Sequence, residues 1–357
     1  MRIIHLSDIH LCADNIEDFR LYYRKSLIKE LNKINSQKDI DLIIISGDLV
    51  DKGGLSLKGI EGYDASVNQY DIFEKEFITT LCEKIPILKN RFLFIPGNHD
   101  IETSKINRII DADLEKIISS AEDANKVCSE FKSQSQFLGF ERLQSFLEFE
   151  KKFHKDNKLL KYLPTNFESQ AIYEYKGKKI GIALINDSWR CTNRKVANHY
   201  VATNQFFRCL EVFDEENTSI NIAVMHHPLS VMNESEQEAI ENILKNQNFK
   251  LLMLGHEHKS RVEVLGLRDQ TIFCTRGRST FDKPHEKEKD YISGFSVIDF
   301  DFGTSKITCS YKIYDKNTFS FDDDFKNGSA IEEFIFGVKH EVLNYNVEKF
   351  KNNFENE

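Results

Sequence analysis

The sequence predicts an α/β fold in which sheets and helices pack as layers, and three observations carry the prediction. Short apolar runs of mostly branched side chains recur without alternation: RIIHL at 2–6, DLIIIS at 41–46, RFLFIP at 91–96, KIGIALIN at 179–186, INIAVM at 220–225 and KLLML at 250–254. A strand buried on both faces reads this way. Patterns of helical period separate them, and strand–helix alternation is the mark of layered α/β architecture. Five of the runs stop at a Gly, Asp, Asn or His cluster, as a strand running into a site-forming loop does.

Taken in order, the run at 2–6 leads into Ser7-Asp8. The stretch 16–34 then places Phe19, Tyr22, Leu27, Leu31 and Ile34 near one helical face. Run 41–46 ends in Gly47-Asp48 and run 91–96 ends in Gly97-Asn98-His99-Asp100. From 104 to 163 no strand is expected. Ile106, Ile109, Ile110, Leu114, Ile117 and Ile118 follow helical spacing, and Phe146, Leu147, Phe149 and Phe153 do so more loosely, so the stretch reads as a helical insertion beside the site. Run 220–225 ends in His226-His227, residues 235–246 are helical, and run 250–254 ends in Gly255-His256-Glu257-His258. Strands follow at 271–275, 294–300 and 306–314, the last two alternating as a hairpin does. The chain thus divides into one domain over 1–321 and a charged helical tail over 322–357, with Val347, Phe350 and Phe354 at helical spacing as a surface for an oligomer or partner contact.

Composition bounds the function. Forty-eight Lys+Arg against 57 Asp+Glu leave a net charge of −9, and 40% of the 357 residues are hydrophobic. That balance excludes a disordered or fibrous chain. It opposes sequence-blind nucleic-acid binding through a broad basic face, which depends on neutralising many phosphates, and leaves room only for a local groove. The segment MRIIHLSDIH has no signal-peptide core, and no run approaches the roughly 18 apolar residues of a membrane-spanning helix. The seven cysteines are scattered and never spaced C-x-x-C. This argues against a disulfide framework or zinc knuckle and points to a reducing cytoplasm.

The chemistry sits at the strand ends. Asp8-x-His10 and His256-x-His258 place two ligands on the same side of an extended strand end, where such a pair can grip one ion. The glycines at 47, 97 and 255 stand where a strand stops and the backbone approaches the site closely.

With these motifs in order (DIH, GDLVD, GNHD, MHHP and GHEH), the sequence resembles the calcineurin-like metallophosphoesterases over roughly residues 1–300. At a frequency of roughly 5% per residue type, GNHD alone arises in a chain this long about twice in a thousand, so five ordered elements are no accident. The resemblance implies a layered α/β/β/α sandwich and a centre of two divalent transition-metal ions. Asp8, His10 and His258 would hold one ion; Asn98, His226 and His256 would hold the other; Asp48 would bridge them. The choice between His226 and His227 stays open, with the strand-end position favouring His226. An imidazole and carboxylate set without thiolate suits Mn, Fe, Zn, Co or Ni better than Mg or Ca. Such a pair activates a hydroxide and clamps phosphoryl oxygens. The resemblance further implies His99 as general acid, oriented by Asp100, with Asn98 also touching substrate.

Three arginines lie after strands and are candidates for a substrate phosphate: Arg190 in DSWR, and Arg276 and Arg278 in TRGRS. Asp51 reads as a turn residue, Cys12 as buried filler, and His5, His154, His199, His285 and His340 as ordinary hydrogen-bonding histidines. The functional expectation is a metal-dependent phosphodiesterase on nucleotide-type substrates. A DNA or RNA nuclease using Lys151, Lys152, Lys155, Lys158 and Lys161 is an alternative, and a non-catalytic interaction scaffold is another.

Overall fold

The computed structural model describes residues 1–131, 139–192, 199–257, 261–265, 271–281, 292–325 and 331–336. Among the described residues, fourteen strands form two sheets of seven. They are β1 (Arg2–Leu6), β2 (Leu42–Ile45), β3 (Phe92–Phe94), β4 (Leu160–Pro164), β5 (Ser169–Tyr175), β6 (Lys178–Leu184), β7 (Ile220–Val224), β8 (Phe249–Leu254), β9 (Arg261–Leu265), β10 (Ile272–Arg276), β11 (Gly294–Asp301), β12 (Lys306–Asp315), β13 (Ser320–Asp323) and β14 (Ile331–Ile335). One sheet runs β13-β12-β11-β1-β2-β3, with β14 also on β12; the other runs β4-β5-β6-β7-β8-β10-β9.

The buried runs behave as expected. β1, β2 and β3 are parallel, and so are β6, β7, β8 and β10. Each parallel set offers apolar side chains to both faces. Ile3, Leu42, Ile44 and Leu93 meet Ile180, Ile182, Ile222 and Leu251 between the sheets. Ile4, Leu6, Ile43 and Ile45 pack outward on Phe19, Leu27 and Leu31, and Ala183, Ala223 and Leu252 pack outward on Phe206, Leu210 and Ile240. These three apolar layers make the α/β/β/α sandwich. Because parallel strands need long crossovers, their carboxyl ends all fall on one edge, and the two edges lie together.

Three expectations for the chain's organisation are corrected. Residues 104–163 hold the helices Arg108–Ile117, Ala121–Phe131 and Gln144–His154, but the segment ends in β4, which pairs with β5. The expected boundary at 321 falls inside β13, and residues 331–335 of the expected helical tail form β14, antiparallel to β12. Phe334 is buried in the intersheet core, and the alternation that places it there was outweighed in the sequence by the adjacent charges of Glu332 and Glu333. Residues 337–357, with Val347, Phe350 and Phe354, lie outside the described residues. β5 was not anticipated at all; QAIYEY mixes polar residues into a strand that lies inside its sheet between β4 and β6.

Candidate metal centre

Six strand ends converge on this edge. Asp8 and His10 follow β1, Asp48 follows β2, Asn98 follows β3, Asp187 follows β6, His226 follows β7 and His256 follows β8. The backbone pays a conformational toll here. Asp8, His10, Asp48 and His256 have φ of +52°, +50°, +55° and +70°, a region that non-glycine residues seldom adopt. Left-handed residues of this kind cluster where a surrounding structure over-determines them for a purpose. Glycine is required at the closest approaches. Gly47 has φ +98°, and a Cβ there would meet the His226 ring and lie 2.9 Å from the Cα of Gly97. A Cβ on Gly97 would strike the Asp48 carboxylate and lie 2.5 Å from its backbone nitrogen.

Hydrogen bonds tie the ends to one another. The amide of His256 donates to Asp8 Oδ2 at 3.1 Å, linking β8 to β1. The amide of His99 donates to Asp48 Oδ1 at 2.7 Å, linking β3 to β2. Asp187 Oδ2 accepts from the amides of His226 at 3.1 Å and His227 at 2.7 Å, linking β6 to β7.

The side chains then aim at a common space. His226 Nε2 lies 3.0 Å from Asn98 Oδ1 and 3.3 Å from Asp48 Oδ2. His256 Nδ1 lies 3.0 Å from the same Asn98 oxygen. His10 Nε2 lies 3.6 Å from Asp48 Oδ2 and 3.8 Å from Asp8 Oδ1. Donor atoms of Asp8, Asp48 and His226 all fall within 4.8 Å of one another.

The donor chemistry fits a cation. His226 Nδ1 is 2.8 Å from the Ser46 carbonyl, so it carries the hydrogen and a neutral ring turns the lone pair of Nε2 toward two oxygens. Lone pairs facing lone pairs repel unless a positive charge lies among them. An imidazole steadied by a backbone carbonyl on its far nitrogen is the usual arrangement of a metal-binding histidine. The protein alone answers the repulsion with protons. Burial disfavours charge on His226, but Asp48 overrides it and pushes the ring up to about 10. Burial would raise the Asp48 carboxyl, yet His226 and His10 hold it well below the ordinary carboxylate value. Burial, then His226 and His227, push His256 down to about 3. Divalent cations would supply that positive charge without protons.

The geometry places His226, rather than His227, against Asp48 and Asn98. His227 stands behind it, with Nδ1 3.4 Å from Asp187 Oδ1. His258 lies outside the described residues.

The environment of His99 departs from expectation. Its Nδ1 meets Asp51 Oδ1 at 2.6 Å, and its ring stands edge-on to His10 at 4.5 Å between centroids. Asp100 does not carry the ring. Its carboxylate accepts the amides of Gly97 at 2.8 Å, Leu49 at 3.2 Å and Val50 at 3.2 Å, and the Tyr70 hydroxyl at 3.2 Å. Its backbone turns it under the loop, where it braces the ends of β2 and β3 together. Burial and the charge of Asp48 push Asp100 up to about 7. The signal for Asp51 was its spacing: in GDLVD it lies three residues after Asp48, across the turn from GNHD.

The three arginines are committed within the fold. Arg190 is buried and its Nη1 donates to the Leu114 carbonyl at 3.2 Å, joining the strand end to the insertion. Arg276 pairs with Glu257. Arg278 pairs with Asp324 at 2.6 Å and donates to the Ile292 carbonyl at 3.2 Å. Arg190 and Arg278 follow strands as expected, Arg276 is the last residue of β10, and each meets a carboxylate or carbonyl of the protein. Of the lysine run, Lys151 meets Asn166 at 3.3 Å, Lys152 meets Asp71 at 2.8 Å and Lys161 meets Glu216 at 2.7 Å. Lys152 and Lys161 thus meet separate acidic neighbours, and Lys151 meets a neutral amide.

Comparison with known proteins defines the class. Residues 1–260 match the calcineurin-like phosphoesterase family. A metallophosphoesterase-like protein of Bacillus subtilis, YydB, itself uncharacterised, is 21% identical over 327 residues, covering 89% of this chain and 62% of the relative. A Xenorhabdus bovienii protein named "Probable cyclic nucleotide phosphodiesterase" is 27% identical over 129 residues, covering 35% of this chain and 44% of that one. The chain thus spans under two thirds of the length of either relative. Among solved structures, the 5'-nucleotidase of Candida albicans aligns with TM-score 0.43 and 12% identity, covering 89% of this chain and 52% of that chain. Vps29 of Entamoeba histolytica aligns with TM-score 0.37 and 11% identity, covering 94% and 99%. At these scores they add nothing about function. The chain belongs to the calcineurin-like phosphoesterase family, hydrolases of phosphoric esters that use divalent metal ions. Among the described residues no helix is long and apolar enough to cross a membrane.

Proposed function

We propose that this protein is a phosphodiesterase on nucleotide-type esters, working with two divalent transition-metal ions, manganese first among them. The observation that carries the reading is the convergence of Asp8, His10, Asp48, Asn98, His226 and His256 from five strand ends onto one space. Asp8, His10 and His258 would hold one ion, Asn98, His226 and His256 the other, with Asp48 between. When bound, the ions supply Lewis acidity and neutralise phosphoryl oxygens.

The chain's own residues do the rest. His99 has a side chain 32% exposed, and it would donate a proton to the leaving oxygen. Asp51 fixes the ring through Nδ1, so Nε2 is the atom that presents the proton. Asn98 offers a neutral amide, which adds no negative charge against an anionic ester. A proton donor matters most for a poor leaving group, as in an alkyl diester, and this favours a nucleotide diester. The name of the Xenorhabdus relative points the same way.

Replacing Asp48 or Asn98 by Ala should abolish manganese-stimulated hydrolysis of an aryl phosphodiester. Hydrolysis undiminished in both variants sinks the proposal. A panel of cyclic nucleotides, dinucleotides, phosphomonoesters and single- and double-stranded DNA then fixes the substrate.

A further inference from the structure

Beside the proposed pair lies a second cluster of ligand-type side chains: Cys191, His199 and His227. All three are more than nine-tenths buried, and one donor atom from each falls within 4.8 Å of the other two. His227 Nε2 is 3.9 Å from Cys191 Sγ, and the His199 and His227 ring centroids are 4.6 Å apart. Around a tetrahedral ion with bonds of about 2.0–2.3 Å, donor atoms stand within this range of one another after a small contraction.

We propose that Cys191, His199 and His227 form a separate mononuclear zinc site, with a fourth position open to water. The rings are already turned for it. His227 Nδ1 faces the Asp187 carboxylate, which leaves Nε2 toward Cys191, the carboxylate–imidazole–metal order of zinc proteins. The His199 Nε2 is buried with no hydrogen-bond partner among the described residues. A ring nitrogen buried without a partner is costly, and a metal ion satisfies it.

Charge closes as well. A zinc ion with one thiolate and two neutral imidazoles keeps a single positive charge, and the adjacent Asp187 carboxylate cancels it, so the buried site is neutral. The thiolate selects a soft or borderline ion, which sets this site apart from the all-nitrogen-and-oxygen pair beside it. His227 separates the two. Its ring centroid is 4.8 Å from that of His226 and 4.6 Å from that of His256. An ion here would pin the His227 ring against the β7 and β8 ends that carry the pair.

The test uses the full chain, stripped with chelator and reloaded with Co(II). A thiolate-to-cobalt charge-transfer absorption in the near ultraviolet reports on this site alone, because no other proposed ligand is sulfur. The band should appear in the wild type, persist in Asp48→Asn, and vanish in Cys191→Ser and weaken in His199→Gln. Zinc content should fall by one equivalent in Cys191→Ser. A wild-type protein that takes up cobalt without the band overturns the site, whatever the variants' stability, and so does a band that survives Cys191→Ser. Failure of the pair alone reads differently: Asp48→Asn would then lose no metal while the sulfur band stayed.

Discussion

Replacing Asp51 by Asn should slow the reaction in proportion to how badly the leaving group needs a proton. The contact is short, 2.6 Å from Asp51 Oδ1 to His99 Nδ1, which places it among charge-assisted hydrogen bonds. Such bonds contribute about 1.5–3 kcal/mol. His99 is one third exposed, and solvent screening selects the lower end, about 1.5–2 kcal/mol. At 1.36 kcal/mol per decade, kcat on an alkyl phosphodiester should fall roughly 10–30-fold. An aryl ester whose leaving group departs as a stable phenolate should lose less than about threefold, because little proton transfer is needed. The assay compares kcat on the two esters for wild type, Asp51→Asn and His99→Ala, with His99→Ala showing the same selectivity and a larger loss. An equal fall on both esters, or no fall on either, refutes the assignment of Asp51 to the His99 ring.

Gly97→Ala drives a methyl group into the Asp48 carboxylate, and a misplacement of that scale should lower activity on the order of 100-fold, with metal content falling in parallel; undiminished metal and activity would contradict the packing. Arg142 is 1% exposed, pairs with Asp111 at 2.6 Å and donates to the Cys191 carbonyl at 3.0 Å, so Arg142→Met should cost about 3–5 kcal/mol and lower the melting temperature by several degrees. Burial pushes Glu150 up to about 7, so the folded state holds its proton where the unfolded chain has released it. Its contribution therefore erodes as pH rises from the ordinary glutamate value through 7, by on the order of 3 kcal/mol. Glu150→Gln should flatten that slope, raising the melting temperature at pH 8 relative to pH 5, and a slope unchanged in the variant would refute it.

The strand ends show where reading from sequence succeeds. β1, β2, β7 and β8 lay where the branched runs predicted, and the glycines and ligand residues that follow them were legible because strand burial and chain reversal are local demands on residue type. β5 and β14 were not legible. Their polar residues satisfy a pattern only when the neighbouring strand is known. Asp51 and Asp100 are the clearest case at the site. Both stand beside the motifs, but which carboxylate meets the His99 ring depends on how two loops from adjacent strands pass each other, and adjacency in sequence pointed to the wrong one.

By itself, then, the sequence determined the kinds of donor available and the strand ends that bear them, because residue chemistry and hydrophobic period are local properties. Tertiary structure alone decided their partners. It turned Arg190, Arg276 and Arg278 onto the protein's own oxygens, set His226 rather than His227 against Asp48, and brought Cys191 to His199 and His227. Those choices depend on distances across the packed sheets, and such distances exist only once the chain has folded.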